Sequence, residues 1–92
     1  MMENNTIAAF HVLSKKDGII KLYTKKMYNW HIPKFLRKEP IQQGDIVLVR
    51  TANGVARVLV MQAFREEFEE TQKRYKRVIK VIERAPKKEP VS

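Results

Sequence analysis

Between residues 15 and 38 the chain holds eight basic side chains and a single acid, Asp17. Tyr23, Tyr28, Trp30 and Phe35 lie among them. That mixture has a definite chemistry. Ammonium and guanidinium groups neutralise phosphates, and flat rings stack on unpaired bases, each stack being worth ~1–3 kcal/mol. Lys25, Lys26, Tyr28, Lys34 and Arg37 are therefore candidate nucleic-acid contacts. Packing competes for the same rings: Trp30 and Phe35 are expected to plug the open end of a small core, which leaves Tyr23 or Tyr28 for stacking.

Arg50 and Arg57 complete the candidate set. They flank Asn53-Gly54, the dipeptide best suited to a tight hairpin turn with positive φ. A two-residue turn there sets Arg50 opposite Arg57, Val49 opposite Val58 and Ile46 opposite Met61. Like charges directly opposed are destabilising. Three arrangements relieve them: solvent screening at the hairpin tip, a carboxylate from residues 66–70, or a phosphate oxygen bridging the two guanidinium forks.

Catalytic chemistry has little to work with. His11 and His31 lie in separate segments with no partnered carboxylate near in sequence, and Ser14 and Ser92 have no activating base in view. Asp17 and Asp45 stand beside glycines, where aspartate caps its own backbone. Three scattered glycines make no phosphate loop. The cluster Glu66, Glu67, Glu69 and Glu70 lacks the ligand alternation and glycine of a calcium loop and reads as a solvated run. The expectation is a non-enzymatic protein without metal or cofactor. No helix-turn-helix, zinc-finger or RNA-binding motif supports sequence-specific readout.

Nineteen basic against ten acidic side chains give a net charge of +9 over 92 residues. A polyanion is the partner such a balance attracts, nucleic acid first, although charge alone also serves solubility. A protein partner docked in an aromatic-lined groove is the second reading. No apolar run approaches the ~18 residues of a membrane span, so no membrane partner is expected. No signal peptide is visible, and the chain has no cysteine, which fits a reducing cytoplasm. One domain is expected over residues 1–85, with a disordered tail over 86–92 rich in proline and lysine.

The elements that must position these groups are mostly strands. Residues 1–5 read as a frayed start, 6–13 as a strand, 14–18 as a turn and 19–24 as the returning strand. Residues 25–43, broken by Pro33 and Pro40, read as irregular, with room for a turn of helix over 33–38. Gly44-Asp45 opens the hairpin. Residues 64–82 carry two patterns: Phe64, Phe68, Thr71, Tyr75, Val78 and Ile82 form a helical stripe, whereas 77–82 is β-branched. The preferred reading is an acidic connection over 66–73 and a closing strand over 74–83. Five strands in a chain this short predict a mostly β, small, partly open barrel, SH3-like or OB-like.

The run Glu39-Pro40-Ile41-Gln42-Gln43-Gly44-Asp45-Ile46-Val47-Leu48-Val49, followed by Thr51, Asn53-Gly54 and residues 56–64, resembles small uncharacterised proteins of phages, plasmids and conjugative elements of Gram-positive bacteria. Arg74-Tyr75-Lys76-Arg77-Val78-Ile79-Lys80-Val81 resembles their closing strand. The resemblance covers about half the chain. It implies an SH3-like barrel and an accessory, mobile-element role, and it assigns no catalytic residue.

Overall fold

Period-two alternation of apolar residues builds two hairpins and a closing strand. The hairpins are β1 (Thr6–Lys16) with β2 (Ile19–His31), and β3 (Ile46–Thr51) with β4 (Gly54–Phe64); the last strand is β5 (Val78–Glu83). This is a computed structural model, and it describes residues 3–66 and 75–86. The strands form one sheet in the order β2-β1-β4-β3-β5, each neighbouring pair antiparallel. Its two edges meet at one parallel bridge, His31 with Arg77, where the His31 N–H donates to the Lys76 carbonyl at 2.9 Å. The sheet is thus a mostly β, partly open barrel of five strands, pinned at one corner.

The inner face is made by Ile7 and Ala9 of β1, Val47 and Val49 of β3, Val58 and Val60 of β4 and Val78 of β5, all fully buried. Trp30 closes the open end as expected: it is 4% exposed, and its indole N–H donates to the Arg50 carbonyl at 2.9 Å. Phe35 does not share that task. It sits in a short 3-10 turn (Lys34–Leu36) and is 67% exposed, while its neighbour Leu36 packs on the core together with Ile32. A 3-10 turn places consecutive side chains about a third of a turn apart, so only one of the two can face inward.

Three further expectations are corrected. Residues 25–31 are strand, because β2 runs on to His31. Residue 5 is no frayed end. Asn5 is fully buried; its Oδ1 accepts from the Glu66 N–H at 2.8 Å, and its Nδ2 donates to the Glu66 carbonyl at 2.7 Å. The third correction is the register of the second hairpin. Arg50 faces Val55, Leu48 faces Arg57 and Val47 faces Val58, so Arg50 and Arg57 are not directly opposed. The turn lies one residue earlier than expected: Thr51 pairs with Gly54, and Gly54 alone takes positive φ, 124°, while Asn53 does not. The two-residue shift keeps every side chain on its expected face, since alternation repeats every second residue.

The turn with both central residues at positive φ is instead in the first hairpin, at Asp17 (53°) and Gly18 (79°) between the paired Lys16 and Ile19. The ambiguity over residues 64–82 resolves where it is described: 78–83 is a strand paired with β3. The acidic run from Glu67, the first residue of the expected closing strand, Arg74, and the tail from Lys87 lie outside the described residues. Among those described, no helix is long and apolar enough to cross a membrane.

Asp45 organises the other end of the barrel. Its buried carboxylate accepts from the Gln42 N–H at 3.0 Å, the Ala85 N–H at 2.7 Å and the Arg84 guanidinium at 3.2 Å. One side chain thereby joins the start of β3 to the exit of β5, and its aspartate-in-turn role extends beyond its own backbone.

Two stability outcomes follow from these geometries. In urea denaturation, Gly18→Ala should cost about 1–2 kcal/mol, because it forces a Cβ into a left-handed turn, whereas Asn53→Ala should stay within about 0.5 kcal/mol. Equal losses at both positions would contradict the turn assignment. Trp30 emission should be blue-shifted in the folded protein, and Trp30→Ala should cost ~3–5 kcal/mol; a red-shifted emission would mean the plug is absent.

Candidate nucleic-acid interface

The closing corner creates a cleft. β2 brings Tyr28, Asn29 and Trp30; β1 brings His11; the β3–β4 turn brings Arg50, Thr51, Ala52 and Asn53 with Val55 and Ala56 behind; Tyr75 and Lys76 form the far wall. The volume is about 690 Å³, within the usual range of ligand sites. A smaller hollow of about 350 Å³ shares Arg50, Thr51, Tyr75 and Lys76 and adds His31 and Arg77. Among the described residues no carboxylate lines either space, and three cationic side chains, Arg50, Lys76 and Arg77, do.

The rings of the cleft support one another. His11 meets Tyr28 edge-on at 5.3 Å and Trp30 edge-on at 5.5 Å, and Tyr28 lies 6.0 Å from Trp30. Edge-to-face contacts of this kind fix ring orientation. Register explains why they meet: Ile7 pairs with Trp30 and Ala9 with Tyr28, so alternate β2 side chains stand on the inner side beside His11. Tyr28 remains 37% exposed, which leaves part of its ring open to a ligand.

A break in the β1–β2 ladder places the lysines. From the Ala9–Tyr28 pair to the His11–Tyr23 pair, β1 advances two residues and β2 advances five. The surplus forms a bulge that holds Lys25 and Lys26, both exposed. Lys26 Nζ stands 4.9 Å from the centroid of the Tyr28 ring, a cation–π contact. Strand bulges re-aim side chains, and this one sets the Lys26 charge at the rim of the aromatic cleft.

The seven residues expected to contact nucleic acid therefore separate. Arg50 and Tyr28 line the cleft and Lys26 stands against the Tyr28 ring, whereas Lys25 is exposed in the bulge and does not line the cleft. Lys34 is exposed in the 3-10 turn and does not line it. Arg37 ends that turn, its Nε and Nη2 donating to the Ile32 carbonyl at 3.0 and 2.8 Å. Arg57 stands opposite Leu48, away from the cleft lining, so no phosphate can bridge it to Arg50 as a directly opposed pair. His11, Tyr75 and Lys76 went unrecognised as site residues. His11 was legible only as the next residue on the Ile7–Ala9 face, and Tyr75-Lys76 only as part of a strand.

A second hollow, about 760 Å³, surrounds Asp45 and Arg84. Its Asp45 carboxylate and Arg84 guanidinium are already bound to one another and to backbone groups, so it reads as the seam between two chain segments. Among the described residues no group of three or more histidine, cysteine, aspartate or glutamate side chains could hold a metal. Glu66, the one described member of the acidic run, is engaged: its backbone binds Asn5, and its carboxylate accepts from the Tyr75 hydroxyl at 3.4 Å.

No curated protein and no solved structure matches the chain. Its relationship is carried by a match that spans both hairpins and the closing strand: residues 2–84 fit a family of unknown function (DUF5839), and the chain belongs to that family.

Proposed function

We propose that this protein is a non-enzymatic, sequence-nonspecific accessory module that binds single-stranded nucleic acid in the cleft between β2, the β3–β4 turn and Tyr75-Lys76. The supporting observation is a lining that combines partly open rings with cations and, among the described residues, holds no carboxylate. Such a lining suits a flexible polyanion with exposed bases: Tyr28 offers a stacking face, and Arg50 and Lys76 reach phosphates. Arg50 suits this task because its backbone, not its side chain, carries the structural bonds: its carbonyl accepts from Trp30 and its N–H donates to the Arg77 carbonyl at 3.0 Å. The lack of a base-edge reading element in the sequence favours nonspecific binding. A mobile-element setting rests on the resemblance over residues 39–64, and a cytoplasmic location on the cysteine-free composition.

Val55 and Ala56 give the second reading its footing. They make part of the wall apolar, beside Tyr28 and Trp30, and aromatic-lined grooves of that kind take extended peptides.

Salt separates the two. For single strands, log affinity falls with log salt by about 0.7 per phosphate neutralised. Arg50→Gln should therefore flatten that slope by roughly 0.7. Tyr28→Ala should weaken binding of a thymidine oligomer by ~5–150-fold, the equivalent of one lost stack, with the slope unchanged. Arg57→Gln should act only as one unit of general charge. Binding that ignores salt, or Arg50 and Arg57 variants that behave alike, would overturn the nucleic-acid reading of the cleft.

A further inference from the structure

Beyond His11 the first hairpin leaves the barrel. β1 pairs with β4 only as far as His11–Val58. From Val12 to Lys16 its only strand partner is β2, through pairs that run from Val12–Leu22 to Lys16–Ile19. The result is a two-stranded arm whose residues 13–19 are all exposed. An isolated two-stranded ribbon is marginal in water, and it adds nothing to the core cluster.

The two faces of the arm differ. Val12, Leu22 and Ile20 share the half-buried face, together with Lys15, whose ammonium pairs with Glu83 at the end of β5. The opposite face follows His11. Its direct partner Tyr23 stands on the same side, and Lys21 and the Lys16–Ile19 pair follow at steps of two. Tyr23 is 40% exposed, and Lys16 and Lys21 are exposed and have no carboxylate partner among the described residues. His11 itself touches the Tyr28 and Trp30 rings of the cleft.

We infer that the single-strand path does not end at the cleft but continues along this face of the arm, from Tyr28 over His11 to Tyr23, with Lys21 and Lys16 as phosphate contacts. This rests on the nucleic-acid reading of the cleft. Seven residues separate Ala9, the partner of Tyr28, from Lys16, about 23 Å of extended strand. That length gives the module a second stacking platform and lifts its footprint toward the middle of the ~4–16 nucleotides covered by small single-strand-binding barrels. The division of labour between Lys15 and its neighbours supports the same path. Lys15, on the Val12–Leu22 face, is tied to a carboxylate, and the lysines on the Tyr23 face are left for an external anion.

Oligomer length tests the path. Binding of thymidine oligomers of about four and about twelve nucleotides should be compared for the native protein, Tyr23→Ala and Lys21→Gln, each variant checked for an unchanged melting transition. The longer oligomer should bind the native protein at least about tenfold tighter. Tyr23→Ala should weaken the longer by ~5–150-fold and leave the shorter within about twofold. Lys21→Gln should flatten the salt slope for the longer only, by roughly 0.7. If the shorter oligomer binds and both variants leave the longer one unaffected, the path stops at the cleft and this inference is wrong. If neither oligomer binds the native protein, the cleft reading fails and the path goes with it.

Discussion

The hydrogen bond from the Trp30 indole to the Arg50 carbonyl is the constraint on which the working end of the molecule depends. A sheet of five strands has two edges, and exposed edges are a liability. Among the described residues they are brought together at one corner, by the His31–Arg77 bridge. Trp30 is the residue before that bridge, and Arg50 lies on β3, the sheet neighbour of β5. Its ring fills the gap that the curled sheet leaves, and its N–H satisfies a carbonyl that β3 offers at the end of its ladder. Losing this part-buried hydrogen bond would cost about 0.5–1.5 kcal/mol, so the plug and the bridge stabilise the same corner.

Closure at one corner has a consequence for the cleft. The backbone of β2 is held at its end, and the rest of the strand is free to bulge and to depart with β1 as an arm. The bulge delivers Lys26 to the rim of the cleft, and the arm carries Tyr23 and Lys21 outward. The opposite end of the barrel is fastened by Asp45, whose carboxylate is fully occupied by Gln42, Ala85 and Arg84. Charge inside that seam is spent on the fold, whereas charge at the cleft is not paired within the described lining.

Much of the fold was legible in the sequence, and the limits have physical causes. Alternation placed Val47, Val49, Val58 and Val60 on one face correctly, yet it defines register only to within two residues, so the pairing of Arg50 with Val55 was not accessible. Asn53-Gly54 is the stronger turn dipeptide on paper, but the chain uses Gly54 alone for positive φ and reserves the doubly left-handed turn for Asp17-Gly18. Residues 25–31 hid as strand because the bulge breaks the period-two pattern on which recognition relies. Trp30 was read correctly as a plug; Phe35 was not, since a 3-10 turn after Pro33 gives the inward place to Leu36. The site was half legible: Tyr28, Lys26 and Arg50 declared themselves by type, while His11, Tyr75 and Lys76 join them through long-range closure that no local pattern encodes.

Amide and indole chemical-shift mapping during titration with a thymidine oligomer tests the central claim most directly. The cleft account predicts saturable shifts concentrated at residues 28–30, 50–56 and 75–77, including the Trp30 indole N–H, with the Asp45–Arg84 seam unmoved. Shifts largest around Asp45 and Arg84, or spread evenly over the lysines of the whole surface, would contradict it.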